Sequence, residues 1–155
     1  MRIRVLAVGT RMPAWVNDGV GEYHKRLPRD FSVDWVDIPP AKRGSDKPEQ
    51  LKVREAQAIE RQLKVDDRII ALDVAGKLVS TEDMARGFHH WQSEGRGVAM
   101  IIGGPDGIDS ELLQRADNRW SLGRITLPHP LVRVILAEQL YRAWSINARH
   151  PYHRG

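Results

Sequence analysis

The sequence predicts a single α/β domain over residues 1–155, in which a parallel sheet is flanked by helices. Apolar or alternating runs of strand length recur five times, and each is followed by a segment with helical spacing. The connections are short, and the chain contains no internal repeat, low-complexity tract or interdomain linker. Strands and helices that alternate in this way form a parallel sheet with helices on both faces.

Five strands follow from the pattern of apolar residues. The first two runs alternate over much of their length, as half-buried strands do. The third and fourth runs are almost continuously apolar, which is typical of the central strands of a parallel sheet. The fifth run leads into the last helix. The predicted strands cover residues 2–8, 31–38, 68–74, 97–102 and 121–127.

Five helices are predicted after these strands. Pro13 has the position of a first helical residue, Ser80 or Thr81 caps the third helix, and Asp109 caps the fourth. A turn is predicted at residues 76–77. The predicted helices cover the fifteen residues after Pro13 and residues 49–63, 82–91, 110–116 and about 131–146.

The last helix follows a stiff elbow, Pro128-His129-Pro130, because a residue before proline avoids helical geometry. At 100° per residue its apolar side chains occupy several sides, which indicates burial in the core or between subunits. Arg133 falls among them. A buried guanidinium is costly unless it is paired, so Arg133 needs a carboxylate, backbone carbonyls or a ligand. The sequence leaves that choice open.

The amino-acid composition limits the kinds of protein to which this chain can belong. Apolar residues make up 41% of the chain and charged residues 28%, as in ordinary soluble globular proteins. The absence of cysteine excludes disulfides and thiolate metal sites and fits a reducing cytoplasm. No run has the length of a membrane span, and the N-terminus has the pattern of a strand rather than of a signal peptide. The net charge of +4 permits binding to nucleic acid.

A small-ligand pocket is predicted at the carboxyl ends of the last three strands, where open α/β sheets bind their ligands. These ends are residues 72–73, 103–104 and 123–128. If the strands are neighbours, their exposed backbone and apolar side chains suit a flat heteroaromatic ligand. The glycines match neither G-x-G-x-x-G nor a Walker A loop, so a simple tight turn at residues 103–107 is the alternative.

The C-terminal tail has a different character. Residues 149–154, RHPYHR, combine two arginines, two histidines and a tyrosine, which can contact phosphates and stack on bases. A frayed terminus is the alternative from composition alone. No carboxylate cluster accompanies the histidines, so no metal site is predicted. No serine lies in a G-x-S-x-G elbow, which argues against a hydrolase of that type.

Several motifs together resemble the bacterial ribosomal RNA large subunit methyltransferase H family of the SPOUT superfamily. The resemblance covers the whole chain, and its most specific parts are C-terminal. The motifs are VGTRMP at 8–13, KRG at 42–44, IIGGPDG at 101–107, SL at 121–122, TLPHPLVRV at 126–134, EQLYRAW at 138–144 and HPYHR at 150–154.

The resemblance implies a SPOUT methyltransferase fold, a parallel sheet flanked by helices with a C-terminal trefoil knot. It implies S-adenosylmethionine bound in a bent conformation by the knot, a homodimer, and methylation of N3 of a pseudouridine in 23S rRNA of the assembled ribosome. Carried over by position, the cofactor contacts are Leu72, Gly103, Leu122, Gly123, Arg124, Ile125, Thr126 and Leu127.

By the same resemblance, the tail of one subunit is expected to hold RNA and to complete the site of its partner. The RNA-binding residues on this reading are Arg142, Tyr152, His153 and Arg154, and the candidate bases for the N3 proton are Glu138 and His153. Two alternatives stay open. The first is a non-catalytic ribosome-binding factor that has kept the fold, and the second is a small-molecule nucleotide enzyme, which would leave the tail unexplained.

Overall fold

The computed structural model describes residues 1–154; Gly155, the last residue of the predicted domain, lies outside the described part. Strands and helices alternate along the whole described chain. The strands are β1 Arg2–Val8, β2 Ser32–Ile38, β3 Arg68–Leu78, β4 Val98–Ile102 and β5 Asn118–Ser121. The helices are α1 Ala14–His24, α2 Pro48–Glu60, α3 Thr81–Glu94, α4 Ser110–Arg115, α5 His129–Asn147 and a terminal 3-10 helix, Pro151–Arg154.

The five strands form one parallel sheet in the order β2-β1-β4-β3-β5. The prediction of a parallel sheet flanked by helices is therefore confirmed. β3 lies between β4 and β5, and Leu72 is paired with both Ile102 and Trp120. The carboxyl ends of the last three strands are consequently neighbours, as the predicted pocket requires.

Helices cover both faces of the sheet. On one face α3 and α5 pack against a core of side chains that includes Val5, Phe88, Met100 and Leu136, and α1 packs on α5. On the other face α2 and α4 enclose a smaller core built around Ile101. Because α5 lies across one face, it carries the chain from the carboxyl edge of the sheet toward the opposite edge.

The third strand is longer than predicted. It continues to Leu78 instead of ending at residue 74, and residues 76–77 form no separate turn. The pairing with β5 shifts between Leu72 and Lys77, so the intervening residues bulge out of the ladder. A Cβ on Gly76 would lie 2.7 Å from the carbonyl oxygen of Arg119, so this close approach requires glycine. The pattern of apolar residues did not predict this bulge. It indicated an end of the strand at residue 74, whereas the strand resumes after the bulge.

The fifth strand is shorter than predicted and lies earlier, at residues 118–121. The Ser121 hydroxyl donates to the carbonyl of Gly123 at 3.0 Å and accepts from its N–H at 3.3 Å, and Gly123 has a φ of 150°. This turn takes residues 122–127 out of the sheet as a loop. α5 then begins at His129, because Pro128 and Pro130 are compatible with a helix start.

None of the helices within residues 1–154 has both the length and the apolar character needed to cross a membrane. In the same part of the chain, no three His, Cys, Asp or Glu side chains are grouped so that they could hold a metal ion.

Candidate functional site

A cavity of about 600 Å³ lies at the carboxyl ends of β4 and β5 and beside the bulge of β3 at residues 72–74. Its walls are the ends of these strands, the turn at residues 103–107, the loop at residues 122–127 and the first turn of α5. The lining is mainly apolar, with Leu72, Ile108, Trp120 and Val132 among its side chains. A concave, mostly apolar site of this size is typical of small-molecule binding.

A larger cleft of about 730 Å³ lies at the opposite edge of the sheet, at the amino ends of the strands. Its lining is largely charged and includes Arg4, Asp67 and Arg96. Arg4 and Asp67 form an ion pair at 2.5 Å, so these charges satisfy each other. Because ligands of open α/β sheets bind at the carboxyl ends, the functional site is assigned to the 600 Å³ cavity.

Most of the predicted cofactor contacts come together in that cavity. Two of the predicted contacts, Arg124 and Thr126, are exposed and lie outside the lining. The predicted contacts that do line it are Leu72, Gly103, Leu122, Gly123, Ile125 and Leu127.

The turn at residues 103–107 depends on its first glycine. A Cβ on Gly103 would lie 2.7 Å from Cγ1 of Ile108 and 2.9 Å from the backbone of Gly107. The turn is closed by the N–H of Gly107, which donates to the carbonyl of Gly104 at 3.0 Å. Glycine is therefore needed for the chain to fold back on itself, and the result is a wall of exposed backbone.

Arg133 pairs with a carboxylate, a backbone carbonyl and a histidine, which answers the question that the sequence left open. The residue is 4% exposed. Its Nη1 donates to Oδ1 of Asp37 at 2.6 Å, its Nη2 to the carbonyl of Gly9 at 3.0 Å, and its Nε to Nε2 of His129 at 2.9 Å. One guanidinium thus joins the ends of β1 and β2 to the start of α5.

His129 extends this network to the cavity. Its Nδ1 lies 3.1 Å from the carbonyl oxygen of Gly103. Because Nε2 accepts from Arg133, the proton of a neutral ring belongs on Nδ1, which then donates to Gly103. Burial lowers the pKa of His129, and the nearby Arg133 charge acts in the same direction, while the bond to Gly103 opposes them. A neutral imidazole therefore holds the wall formed by Gly103.

The predicted RNA-binding residues assemble at the other end of α5. Arg149 has a φ of 57°, and this turn folds the terminal 3-10 helix back onto α5. Oε2 of Glu138 accepts from Nε of Arg142 at 2.9 Å and from the Tyr152 hydroxyl at 2.8 Å. The Arg142 guanidinium lies 4.9 Å from the centre of the Tyr152 ring. The tail is thus packed, and a frayed terminus is not observed up to Arg154.

The two candidate bases have defined surroundings. The carboxylate of Glu138 also accepts from Gln139 at 2.7 Å. Nδ1 of His153 lies 3.4 Å from the Ser145 hydroxyl, and Arg154 is exposed. Burial raises the pKa of Tyr152, as does its bond to Glu138, so this side chain stays a neutral phenol.

The tail and the cavity of one chain are far apart. Glu138, Arg142, Tyr152 and His153 are absent from the lining of the 600 Å³ cavity. At 1.5 Å per residue, Arg142 lies about 20 Å along α5 from His129, which is at the cavity. A single chain therefore does not bring its predicted RNA-binding residues to its own predicted cofactor site.

A family model described as "Predicted SPOUT methyltransferase" matches residues 1–153 of the chain. The chain belongs to the SPOUT methyltransferase family. Three curated relatives carry the name ribosomal RNA large subunit methyltransferase H. The one from Chromohalobacter salexigens is 56% identical, that from Saccharophagus degradans 50% and that from Pseudomonas aeruginosa 44%, each over 99% of this chain and 100% of the relative.

A solved structure is similar to this SPOUT methyltransferase at the level of the fold. It is that of a probable methylase family protein from Haemophilus influenzae Rd KW20, with a TM-score of 0.58. The match covers 97% of this chain and 69% of the other, at 12% identity. The SPOUT fold expected from the motifs is confirmed, whereas the trefoil knot stays a prediction.

Sequence reasoning missed two acidic residues outside the cavity lining: Asp37, which pairs with Arg133, and Glu55, which is buried on α2. A signal existed for Asp37, which falls on the same face of its alternating strand as Phe31, Val33 and Trp35, all of which pack in the core. An acid on an apolar face near a strand end needs a cationic partner. Glu55 gave no such signal, because it is one of several charged residues on α2.

The stability of this SPOUT methyltransferase is expected to fall as the pH drops below about 6.5, the ordinary pKa of histidine. The unfolded chain takes up a proton at His129 in this range, whereas the folded chain, whose pKa is lowered, does not. The unfolded state therefore gains stability as the pH falls. Thermal unfolding followed from pH 8 to 5 measures the effect.

The comparison uses His129→Gln, whose amide can donate to Gly103 and accept from Arg133 without titrating. This variant is expected to show a weaker pH dependence of Tm than the wild type. His89→Gln, at an exposed histidine, serves as the control and should follow the wild type. An identical pH dependence in His129→Gln and wild type would contradict the prediction.

Proposed function

We propose that this SPOUT methyltransferase transfers the methyl group of S-adenosylmethionine to N3 of a pseudouridine in 23S rRNA, on the assembled ribosome in the cytoplasm. The names of the curated relatives support ribosomal RNA as the substrate. The proposal treats residues 1–155 as one domain. The observation that carries it is the cavity at the strand ends, together with a cationic, aromatic tail.

The residues of the cavity fit the cofactor. Its lining is mainly apolar, and it includes the backbone of Gly103 and Gly123. An adenine ring needs such a lining, with flat apolar contacts on its faces and backbone hydrogen bonds at its edge. On this proposal Leu72, Gly103 and the loop at residues 122–127 hold S-adenosylmethionine. Arg124 and Thr126 then contribute through their backbone, since their side chains are exposed.

When bound, S-adenosylmethionine supplies the methyl group as an electrophile, and its sulfur keeps the electron pair of the broken C–S bond. The protein's task is to orient N3 of the base toward that group. N3 carries a proton that must leave. Glu138 and His153 are the proposed acceptors, the first through a carboxylate already held by Arg142 and Tyr152.

We further propose that the active form is a homodimer in which the tail of one subunit completes the cavity of its partner. The distance of about 20 Å between tail and cavity along α5 supports this arrangement. Apolar side chains beside the cavity support it as well, because Val74 is 76% exposed and Ile125 is 78% exposed. Apolar groups exposed together mark a surface that another molecule covers.

Methyl transfer from labelled S-adenosylmethionine to whole ribosomes, isolated subunits and naked rRNA tests the proposal. We expect transfer to whole ribosomes to be the most efficient, with the label on N3 of a pseudouridine in 23S rRNA. A label on another base, or on free nucleotides, would contradict the assigned substrate. A non-catalytic ribosome-binding factor would give no label, and calorimetry would then show whether it binds the cofactor.

A further inference from the structure

The 600 Å³ cavity, which the proposed function makes the cofactor cavity, is lined by a single side chain that is charged at neutral pH. That side chain is Asp73, which follows Leu72 directly. The other ionisable group of the lining, His129, is a neutral imidazole, because burial lowers its pKa. The cavity therefore presents one negative charge within a mainly apolar lining, and the cofactor contacts proposed above leave this charge without a role.

The bulge of β3 holds Asp73 in this position. Residues 73–76 leave the ladder between the pairs formed by Leu72 and Lys77. Oδ1 of Asp73 accepts the N–H of Ala75 at 3.2 Å, and a Cβ on Gly76 would lie 3.0 Å from the Asp73 carbonyl oxygen. These short-range contacts fix the bulge, and they use only one of the two carboxylate oxygens.

Within residues 1–154, no lysine, arginine or histidine side chain forms an ion pair with Asp73. A carboxylate beside apolar surface attracts a positive charge more strongly than a carboxylate in bulk water does, because the effective dielectric constant is lower. The cavity is therefore suited to a ligand that carries a positive charge.

Asp73 lies at the mouth of the cavity. It is half-buried, between Leu72, which packs on the core, and Val74, which is 76% exposed. Ile125, which also lines the cavity, is 78% exposed at the same opening. On the proposed function the methyl group has to face this opening, because the accepting base belongs to an RNA that reaches the cavity from outside. The carboxylate is thus on the side of the cavity where the sulfur of the cofactor is needed.

The charge on that sulfur distinguishes the cofactor from its product. The sulfonium of S-adenosylmethionine carries a permanent positive charge, whereas the sulfur of S-adenosylhomocysteine is a neutral thioether. The adenine, the ribose hydroxyls and the amino-acid group are the same in both molecules. A carboxylate close to the sulfur therefore favours the cofactor, and a carboxylate close to any of the shared groups favours neither.

We propose that Asp73 is a specificity residue, whose carboxylate attracts the sulfonium and so favours S-adenosylmethionine over S-adenosylhomocysteine. This assignment rests on the proposed function. The attraction is lost when the methyl group has left, so the product is held less tightly and a new cofactor can replace it. Because the attraction exists before the transfer and weakens during it, Asp73 contributes to cofactor affinity and not to the rate of the chemical step.

The test is Asp73→Asn, whose amide oxygen can still accept the N–H of Ala75 while the charge is lost. Calorimetry measures the Kd of S-adenosylmethionine, of S-adenosylhomocysteine and of an analogue with a protonated amine in place of the sulfonium. We expect the Kd of S-adenosylmethionine to rise about 5- to 30-fold, between the effect of an exposed ion pair and that of a pair in a site of lower dielectric constant. The amine analogue should lose affinity in the same way, and the Kd of S-adenosylhomocysteine should hardly change.

Salt provides a second measurement, which needs only the wild type and so remains decisive should Asp73→Asn not fold. Salt screens a half-exposed ion pair. Raising the salt concentration should therefore weaken the binding of S-adenosylmethionine to the wild type and leave that of S-adenosylhomocysteine nearly constant. A preference for S-adenosylmethionine that does not depend on salt would overturn the assignment.

Asp34→Asn is the matched control. Asp34 is an exposed residue of β2 and does not line the cofactor cavity, so this variant removes the same charge from the protein at a distant place. All three Kd values should equal those of the wild type. A loss of S-adenosylmethionine affinity as large as in Asp73→Asn would show that the net charge of the protein, and not Asp73, causes the effect.

Equal losses of affinity for S-adenosylmethionine and S-adenosylhomocysteine in Asp73→Asn would overturn the assignment, because a contact to the ribose or to the amino group produces that result. Unchanged affinity for both would overturn it as well, although binding of the cofactor by the wild type would leave the proposed function intact. If the wild type binds neither molecule, the proposed function itself fails.

Discussion

Replacing Arg133 with methionine is expected to lower the free energy of unfolding by about 2–4 kcal/mol, because it removes a buried charge whose partners stay behind. The change leaves the carbonyl of Gly9 and Nε2 of His129 without a donor. Asp37 loses its partner too, but its side chain is 51% exposed, so water can solvate it and the cost stays below that of a fully buried ion. For a chain of this length the Tm should drop by roughly 5–15 °C.

The same variant should weaken cofactor binding about tenfold. Arg133 holds His129, and His129 holds the carbonyl of Gly103 in the wall of the cofactor cavity. Freed from Arg133, the imidazole can turn and release that wall. A tenfold loss corresponds to about 1.4 kcal/mol. Chemical denaturation and calorimetry with S-adenosylmethionine measure the two effects separately.

Arg86→Met is the control for Arg133→Met, because Arg86 is on α3 and its side chain is 70% exposed. It should change the free energy of unfolding by less than about 0.5 kcal/mol. The free energy of unfolding of Arg133→Lys should lie between those of Arg133→Met and Arg86→Met. An ammonium group keeps the charge but cannot reproduce the three directed hydrogen bonds of the guanidinium. Equal stability of Arg133→Met and wild type would show that the network contributes nothing.

Removing Tyr152 or Arg154 is expected to reduce methyl transfer to ribosomes at least about 100-fold while the cofactor binds as before. Tyr152→Ala removes the bond to Glu138 and the ring under Arg142, so the tail loses its anchor on α5. Arg154→Ala removes an exposed cation proposed to contact RNA. Stacking and phosphate contacts of this kind contribute mainly to RNA affinity and orientation.

Methyl transfer and cofactor calorimetry are measured on the same preparations, with Arg86→Ala as the matched surface control. Equal losses of transfer and of cofactor affinity would contradict the separation of the two sites. Tyr152→Phe, which keeps the ring but not the hydroxyl, shows how much of the effect depends on the bond to Glu138.

The proposed dimer adds a stricter test of the same residues. Co-expression of Arg154→Ala with a variant whose cofactor cavity is blocked, Gly103→Val, forms mixed dimers. If the tail of one subunit serves the cavity of its partner, such a dimer has one intact site, and transfer should return above that of either variant alone. Continued inactivity of verified mixed dimers would contradict the shared site.

The order of strands and helices, the parallel sheet and two positions that line the cavity, Leu72 and Gly103, were predictable from the sequence alone. These features are local, because each depends on apolar periodicity, glycine or proline within a few residues. The C-terminal motifs also determined the family. Predictions from the sequence were least reliable at the ends of two strands, residues 73–78 and 121–127. Pairing between strands and the turn formed by the Ser121 side chain decide where these strands end.

Which residues meet across the chain depends on the packing of the whole fold. Arg133 pairs with Asp37, 96 positions earlier. The cost of burying an unpaired charge predicted that Arg133 has a partner, but it did not identify Asp37. The wall of the cavity at Gly103 is held by His129, which comes from a separate segment 26 positions later. Likewise the separation of tail and cavity depends on the path of α5 across the sheet. Contacts between distant segments follow from packing, and no local pattern encodes them.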